Sequence, residues 1–256
     1  MASVAWLNVA PVKGLRLVAR DEIRLEPYGV RGDRAFYVVD EEGRLVNAKR
    51  YGRLLTIQAE HDPERDVLAL TLPDGRRVEG VPGTGEPIET DFYGGNTRGE
   101  LVEGPWSDAL SEVVGVPLRL ARAAEPGAAL DRGLRGGGAT LLSTASLAKL
   151  AAAAGVQDVD PRRFRMLIGI EGIAAHEEDE WLGREVQVGE AVVVPRGHVG
   201  RCAVTTKDPE SGDRTLDTLA ALAAYREDGT EKLPFGVWGE VSRPGLVRLG
   251  DAVEPV

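Results

Sequence analysis

The sequence is short of the residues that build most familiar metal and redox centres. It has one cysteine, Cys202, in 256 residues. That count excludes an internal disulfide, and it excludes zinc or iron-sulfur sites held by several thiolates. The three histidines, His61, His176 and His198, are scattered, and no His-x-x-x-His pair shares a helical face. His198 is the histidine nearest the cysteine in sequence. Four residues along a strand place the two about 13 Å apart on one face, so a Cys-His nucleophile pair is not expected. Long apolar runs are also missing. The opening segment is interrupted by Pro11 and Lys13, and nothing later approaches the ~20 apolar residues of a spanning helix. No membrane partner is therefore expected; a single cysteine leaves the redox environment unwritten in the scaffold, and the cytoplasm is the default location. Basic residues are in deficit, with a formal net charge of −10, which excludes a generic nucleic-acid surface.

What is present describes a core-forming protein, 43% hydrophobic and 28% charged. Short β-type runs dominate: VAWLNVA, EIRLEPYG, RAFYVVDEEGRLVNA, LLTIQAE, DVLALTLPDGRRVEG, EVQVGEAVVVP and GLVRLGDAVEPV. Gly, Pro and Asp-Gly punctuate them as hairpin turns do. Three helices are expected: 106–114 after Pro105, 144–154 between the N-cap Ser143 and Gly155, and 216–225 with Asp217 in its first turn. The fold class is α+β and β-rich, without continuous parallel strand-helix alternation. Residues 123–138, AAEPGAALDRGLRGGG, have no sustained period and read as a linker or mobile loop. Their triple glycine, 136–138, lacks the following lysine or helix start of a phosphate loop. This divides the chain into 1–122, 123–138 and 139–256.

Taken singly, Lys13, Arg34 and Arg165 read as surface ion-pair partners. The acid run HEEDEW reads as a solvated loop rather than a cation site, Thr205 and Thr206 as strand residues beside an Asp208-Pro209 turn, and Phe36, Tyr37 and Trp181 as packing residues. A lone cysteine is usually a small buried hydrophobe.

The order of motifs changes the weighting. APVKG, GVRGDR-F, NAKR, LLSTASL, RFR, EEDEW, GRCAVTTKDPESG and GLVRLGDAV follow one another along the chain. This order resembles the MOSC family end to end, an N-terminal MOSC-associated region followed by the MOSC domain, and is most similar to its amidoxime-reducing branch. The Arg-Cys-x-x-Thr-Thr-x-Asp-Pro-x-x-Gly run carries most of that resemblance. It implies a MOSC-type β-barrel with flanking helices, an N-terminal β-rich subdomain and a molybdenum pyranopterin cofactor whose protein ligand is Cys202. At the level of the domain, the family is also associated with pyridoxal phosphate binding. The resemblance further implies cofactor contacts from Lys13, Gly14, Arg34, Ser143, Arg165, Gly200 and Arg201, with Arg201 and the cationic loops meeting the phosphate and pterin carbonyl. A thiolate is the soft ligand such a metal accepts, and Arg presents a planar fork to oxyanions.

Four departures stand out. Met166-Leu167 replaces a Pro-Asn pair, Gly14 and Gly200 stand where relatives carry serine, and Ile173, Ala174 and Ala175 replace an acid after Gly172. The implied activity is reduction of an N-hydroxylated small molecule. Electrons would come from a separate electron-transfer protein, because the chain has no flavin or nicotinamide fingerprint. The competing reading is a non-redox protein, with Cys202 carrying a persulfide or the pocket binding an anionic small molecule.

Overall fold

The computed structural model describes residues 1–92, 95–131, 137–226 and 231–256. The core of the expected linker, 132–136, including Gly136, therefore lies outside the described residues.

An eight-stranded sheet organises the C-terminal half. Its strands run in the spatial order Val253–Pro255, Val186–Val188, Ala191–Gly200, Pro234–Arg243, Ala139–Ser143, Ile168–Glu171, Ser3–Val9 and Val18–Ala19. The amino-terminal strand Ser3–Val9, with Val18–Ala19 beside it, is thus hydrogen-bonded into a sheet whose other six strands come from the second half of the chain, and it runs antiparallel to Ile168–Glu171. Gly245–Arg248 likewise pairs with Glu22–Glu26. Val4, Leu7, Leu141, Ile168, Val193 and Val237 are among the side chains of the apolar layer that fuses these segments.

The N-terminal half has two further antiparallel sheets. One contains Gly83–Asp91, Asn96–Glu103, Arg119–Ala123, Phe36–Val39 and Leu45–Val46, and the other Gln58–Asp62, Val67–Thr71 and Arg77–Gly80. They enclose a second core around Phe36, Leu54, Leu70, Trp106 and Leu110. The fold is β-rich α+β.

The helices form where capping chemistry permits. α1, Trp106–Val114, ends at Gly115, and α2, Thr144–Ala154, spans the expected residues. Ser143 Oγ accepts from the Ser146 amide at the start of α2, and Gly155 closes it at φ 67°, a conformation that favours glycine. α3 is shorter than expected, Thr218–Ala223, and begins where the Asp217 carboxylate caps it by accepting from the Ala220 amide. Two segments depart from the strand reading. Gly52–Thr56 and Ala203–Thr206 are 3-10 turns, so LLTIQAE becomes a strand only from Gln58, and Thr205 and Thr206 leave the ladder. Among the described residues, one pair of named strands is parallel, Ala139–Ser143 and Ile168–Glu171, joined through α2.

The HEEDEW loop is corrected as well. Glu177–Trp181 is a 3-10 turn with Trp181 in the core and Glu178 fully buried. Glu178 Oε1 accepts from the Ser143 amide and from Ser146 Oγ, both at 3.2 Å. Those bonds hold the turn against α2, and desolvation pushes the carboxyl up to about 7.

Candidate functional site

Cys202 follows the strand Ala191–Gly200 and precedes the 3-10 turn Ala203–Thr206, and its thiol is exposed rather than buried. Its carbonyl accepts from the Thr205 amide at 3.1 Å and from Thr205 Oγ1 at 3.0 Å, so the turn after the cysteine fixes the cysteine's own backbone. Thr205 Oγ1 also meets Thr218 Oγ1 at the start of α3 at 2.7 Å, and Thr206 Oγ1 donates to the Ala203 carbonyl. The expected Asp-Pro turn closes the segment, with Asp208 Oδ1 accepting from the Glu210 and Ser211 amides.

Arg201 is held differently from what the family resemblance implied. Its guanidinium donates through Nε to Phe235 O at 2.9 Å and through Nη1 to Phe164 O at 2.9 Å. Nη2 contacts Met166 Sδ at 2.9 Å and also Phe235 O. It lies over the Phe164 and Phe235 rings, 5.3 and 5.9 Å from their centroids. No carboxylate among the described residues pairs with it, and desolvation lowers its pKa to about 9. The donors expected to face a phosphate are committed to the polypeptide. Arg201 ties the residue before Cys202 to the carbonyl and sulfur on either side of Arg165.

Arg165 occupies the left-handed region at φ 56°, closing the 3-10 turn Pro161–Phe164. Its Nη2 is buried with no hydrogen-bond partner. Desolvation first, then the adjacent Arg34, lowers its pKa to about 10. Arg34, at φ 50°, donates from Nη2 to the Arg165 carbonyl at 3.2 Å and pairs through Nη1 with Asp33. Asp33 is itself buried and accepts from the Ala10 amide at 2.7 Å. Lys13, 7% exposed, donates to Ala129 O at 3.0 Å and pairs with Asp131. Burial lowers its pKa, Asp131 opposes that, and Arg34 and Arg165 add to it. Lys13, Arg34 and Arg165 therefore share one electrostatic environment, contrary to the reading of three separate surface ion pairs.

The other expected contacts divide. Gly14, at φ 91°, turns the chain directly after Lys13, where a serine would be strained. Gly200 pairs with Pro234 at the end of the strand that delivers Arg201 and Cys202. Ser143 is fully buried and its hydroxyl is used by α2 and Ser146, so it acts in the scaffold. His198 Nε2 lies 3.5 Å from Asp179 Oδ1, an interaction away from the cysteine. Asp131 and the acceptor pair Phe164 and Phe235 escaped the sequence reading, since no motif marks a carboxylate in a loop or a carbonyl in a turn.

Residues 1–97 match the MOSC N-terminal beta barrel domain and residues 138–254 match the MOSC domain. The chain belongs to the MOSC family. Mitochondrial amidoxime-reducing component 1 from Mus musculus is 25% identical over 281 residues, covering 99% of this chain and 82% of the relative. The same component from Homo sapiens is 26% identical over 285 residues, with 99% and 82% covered. Among solved structures, the YUAD protein from Bacillus subtilis aligns over 99% of this chain and 94% of its own at 12% identity, with a TM-score of 0.48. No helix among the described residues is long and apolar enough to cross a membrane.

The donor set of this MOSC chain fits the cofactor that its family implies. It offers one exposed soft sulfur, Cys202 Sγ, and, in the turn that neighbouring Arg201 holds, a buried unused donor, Arg165 Nη2.

Proposed function

We propose that the chain is a molybdenum-dependent oxidoreductase that reduces N-hydroxylated small molecules with electrons from a separate protein. The observation that carries this reading is the exposed Cys202 thiol, joined through Arg201 to a turn whose Arg165 presents an unsatisfied buried donor. The names of the amidoxime-reducing relatives point to the same chemistry.

In this reading Cys202 Sγ is the protein's ligand to molybdenum, and Arg165 Nη2 with Lys13 Nζ binds the anionic end of the pyranopterin. When bound, the cofactor supplies a two-electron metal centre able to take an oxygen atom from an N–O bond. Arg34 fixes the Arg165 turn through the Arg165 carbonyl, and Thr205 fixes the Cys202 backbone from the other side. Because Arg201 is spent on carbonyls and sulfur, it orients the two halves of the site and does not grip the phosphate. Conversion of R–NHOH to R–NH2 and water consumes two electrons and two protons. A single cysteine leaves no thiolate set for an iron-sulfur relay, so the electrons arrive from a partner. The reading keeps the chain in the cytoplasm, where a lone thiol stays reduced.

The test is turnover. Metal-loaded protein supplied with dithionite, or with a relative's cytochrome and flavoprotein pair, is expected to reduce benzamidoxime or a hydroxylaminopurine, and nicotinamide cofactor alone is not. Metal-loaded protein that reduces no N-hydroxylated compound under dithionite refutes the reductase reading and directs attention to a persulfide on Cys202.

A further inference from the structure

The cation cluster of Lys13, Arg34 and Arg165 already contains two carboxylates, and they are held in opposite ways. Asp33 is built in. It is 8% exposed, accepts from the Ala10 amide and pairs with Arg34. Asp131 pairs with Lys13, yet its side chain keeps 72% of its surface exposed. The segment before it is ordered independently of that pair. Ala128 N donates to Glu125 O, Leu130 N to Gly127 O, and Thr97 Oγ1 to Ala128 O at 3.1 Å, while Lys13 Nζ keeps a second acceptor in Ala129 O. Lys13 therefore remains anchored if Asp131 leaves.

Withdrawing the two acids would have very different costs. Removing Asp33 would strip the buried Ala10 amide of its acceptor and the largely buried Arg34 guanidinium of its carboxylate. Asp131, whose side chain is largely exposed, would give up its ion pair with Lys13 and leave no buried amide without an acceptor. The charge of Asp131 also acts on Arg34, Arg165 and Arg201 as well as on Lys13. Partial desolvation raises its pKa, and these cations outweigh that to leave it lowered. Lys13, Arg34 and Arg165 with Asp33 and Asp131 carry one surplus positive charge while Asp131 is in place and two once it has swung out, and Arg201, bonded to main-chain carbonyls, adds one more in either state.

We propose that Asp131 is a displaceable resident counter-ion that makes this cradle select a doubly charged oxyanion, of the phosphate-monoester or sulfate kind, over a singly charged one. A monoanion that displaces Asp131 replaces one negative charge by another and gains little. A dianion neutralises the surplus left behind and also supplies an acceptor for Arg165 Nη2. Between visits Asp131 shields three like charges from one another. The inference deepens the proposed function, because it rests on this cradle being the anion end of the cofactor site.

Calorimetric titration of the full chain, purified without molybdenum, tests it at constant ionic strength with sulfate and nitrate as probes. The wild type is expected to bind sulfate at least about tenfold more tightly than nitrate, and Asp131→Asn to bind nitrate about tenfold more tightly than the wild type does. Asp131→Glu keeps the charge and should keep the wild-type preference. Adding Arg165→Gln to Asp131→Asn should abolish the gain, placing it in this cradle. A wild type that does not prefer sulfate, or an Asp131→Asn protein whose nitrate affinity is unchanged or weaker, overturns the proposal. Neither probe contains molybdenum. A chain that behaves this way and still takes up no metal refutes the cofactor reading and leaves the role of Asp131 standing.

Discussion

Arg201 Nη1 donates to Phe164 O at 2.9 Å, and the same guanidinium reaches the Sδ of Met166 two residues further on. The arginine beside the cysteine thus brackets Arg165. The family resemblance implies a proline where Met166 stands. At this position the chain supplies a thioether, 2% exposed, as a contact for Arg201.

Arg201→Ala would leave the Phe164 and Phe235 carbonyls without their donor and uncover the two packed rings that the guanidinium lies over. The expected loss is about 2–4 kcal/mol of unfolding free energy in a urea titration of metal-free protein. Arg201→Lys keeps charge without the planar fork and should recover only part of it. Met166→Leu conserves volume and should cost less than ~1.5 kcal/mol. An Arg201→Ala protein as stable as the wild type would show that the guanidinium is not a strut.

Ser143 belongs to the helix. Ser143→Ala removes the α2 N-cap and a partner of Ser146, and should cost about 1–2 kcal/mol. The rate at which iodoacetamide alkylates Cys202, the only thiol in the chain, should not change. Unchanged stability with altered alkylation would place Ser143 in the site instead.

Glu178 makes stability depend on pH. Its carboxyl titrates near 7 in the folded protein against 4.5 in the reference state, so the folded state binds the extra proton between those values. Its stabilising contribution is complete below about 4.5 and is lost as pH rises to about 7, on the order of 3 kcal/mol at most. Glu178→Gln keeps an oxygen for Ser143 N and Ser146 Oγ and cannot ionise. Relative to the wild type, this variant should therefore gain stability as pH rises from about 4.5 to about 7 and gain no more above that. A difference between the two proteins that does not vary with pH would contradict the assignment.

The helices were legible because their ends are written in local chemistry, Ser143 and Gly155 around α2 and Asp217 before α3. Strands with clean alternation were legible for the same reason. Gly83–Asp91 and Asn96–Glu103 were not, since they lie largely exposed and carry little apolar pattern, and Pro234–Arg243 is broken by Gly236 and Gly239. The burial of Glu178 could not be read from four consecutive acids, because only the packing of the turn on α2 selects which one turns inward. In the site, Lys13, Arg34 and Arg165 stood out through family order. The commitment of Arg201 to main-chain carbonyls depends on three segments meeting in space, Gly200, Phe164 and Phe235, which no local pattern records.

Metal content of the wild type and of Cys202→Ser, both produced in a host that makes molybdenum cofactor, tests the central claim most directly. One thiolate completes one such site, so the wild type should carry about one molybdenum per chain and the variant essentially none, with both equally folded. A metal-free wild type under those conditions, or a fully loaded Cys202→Ser protein, would contradict the assignment of Cys202 as the metal's ligand.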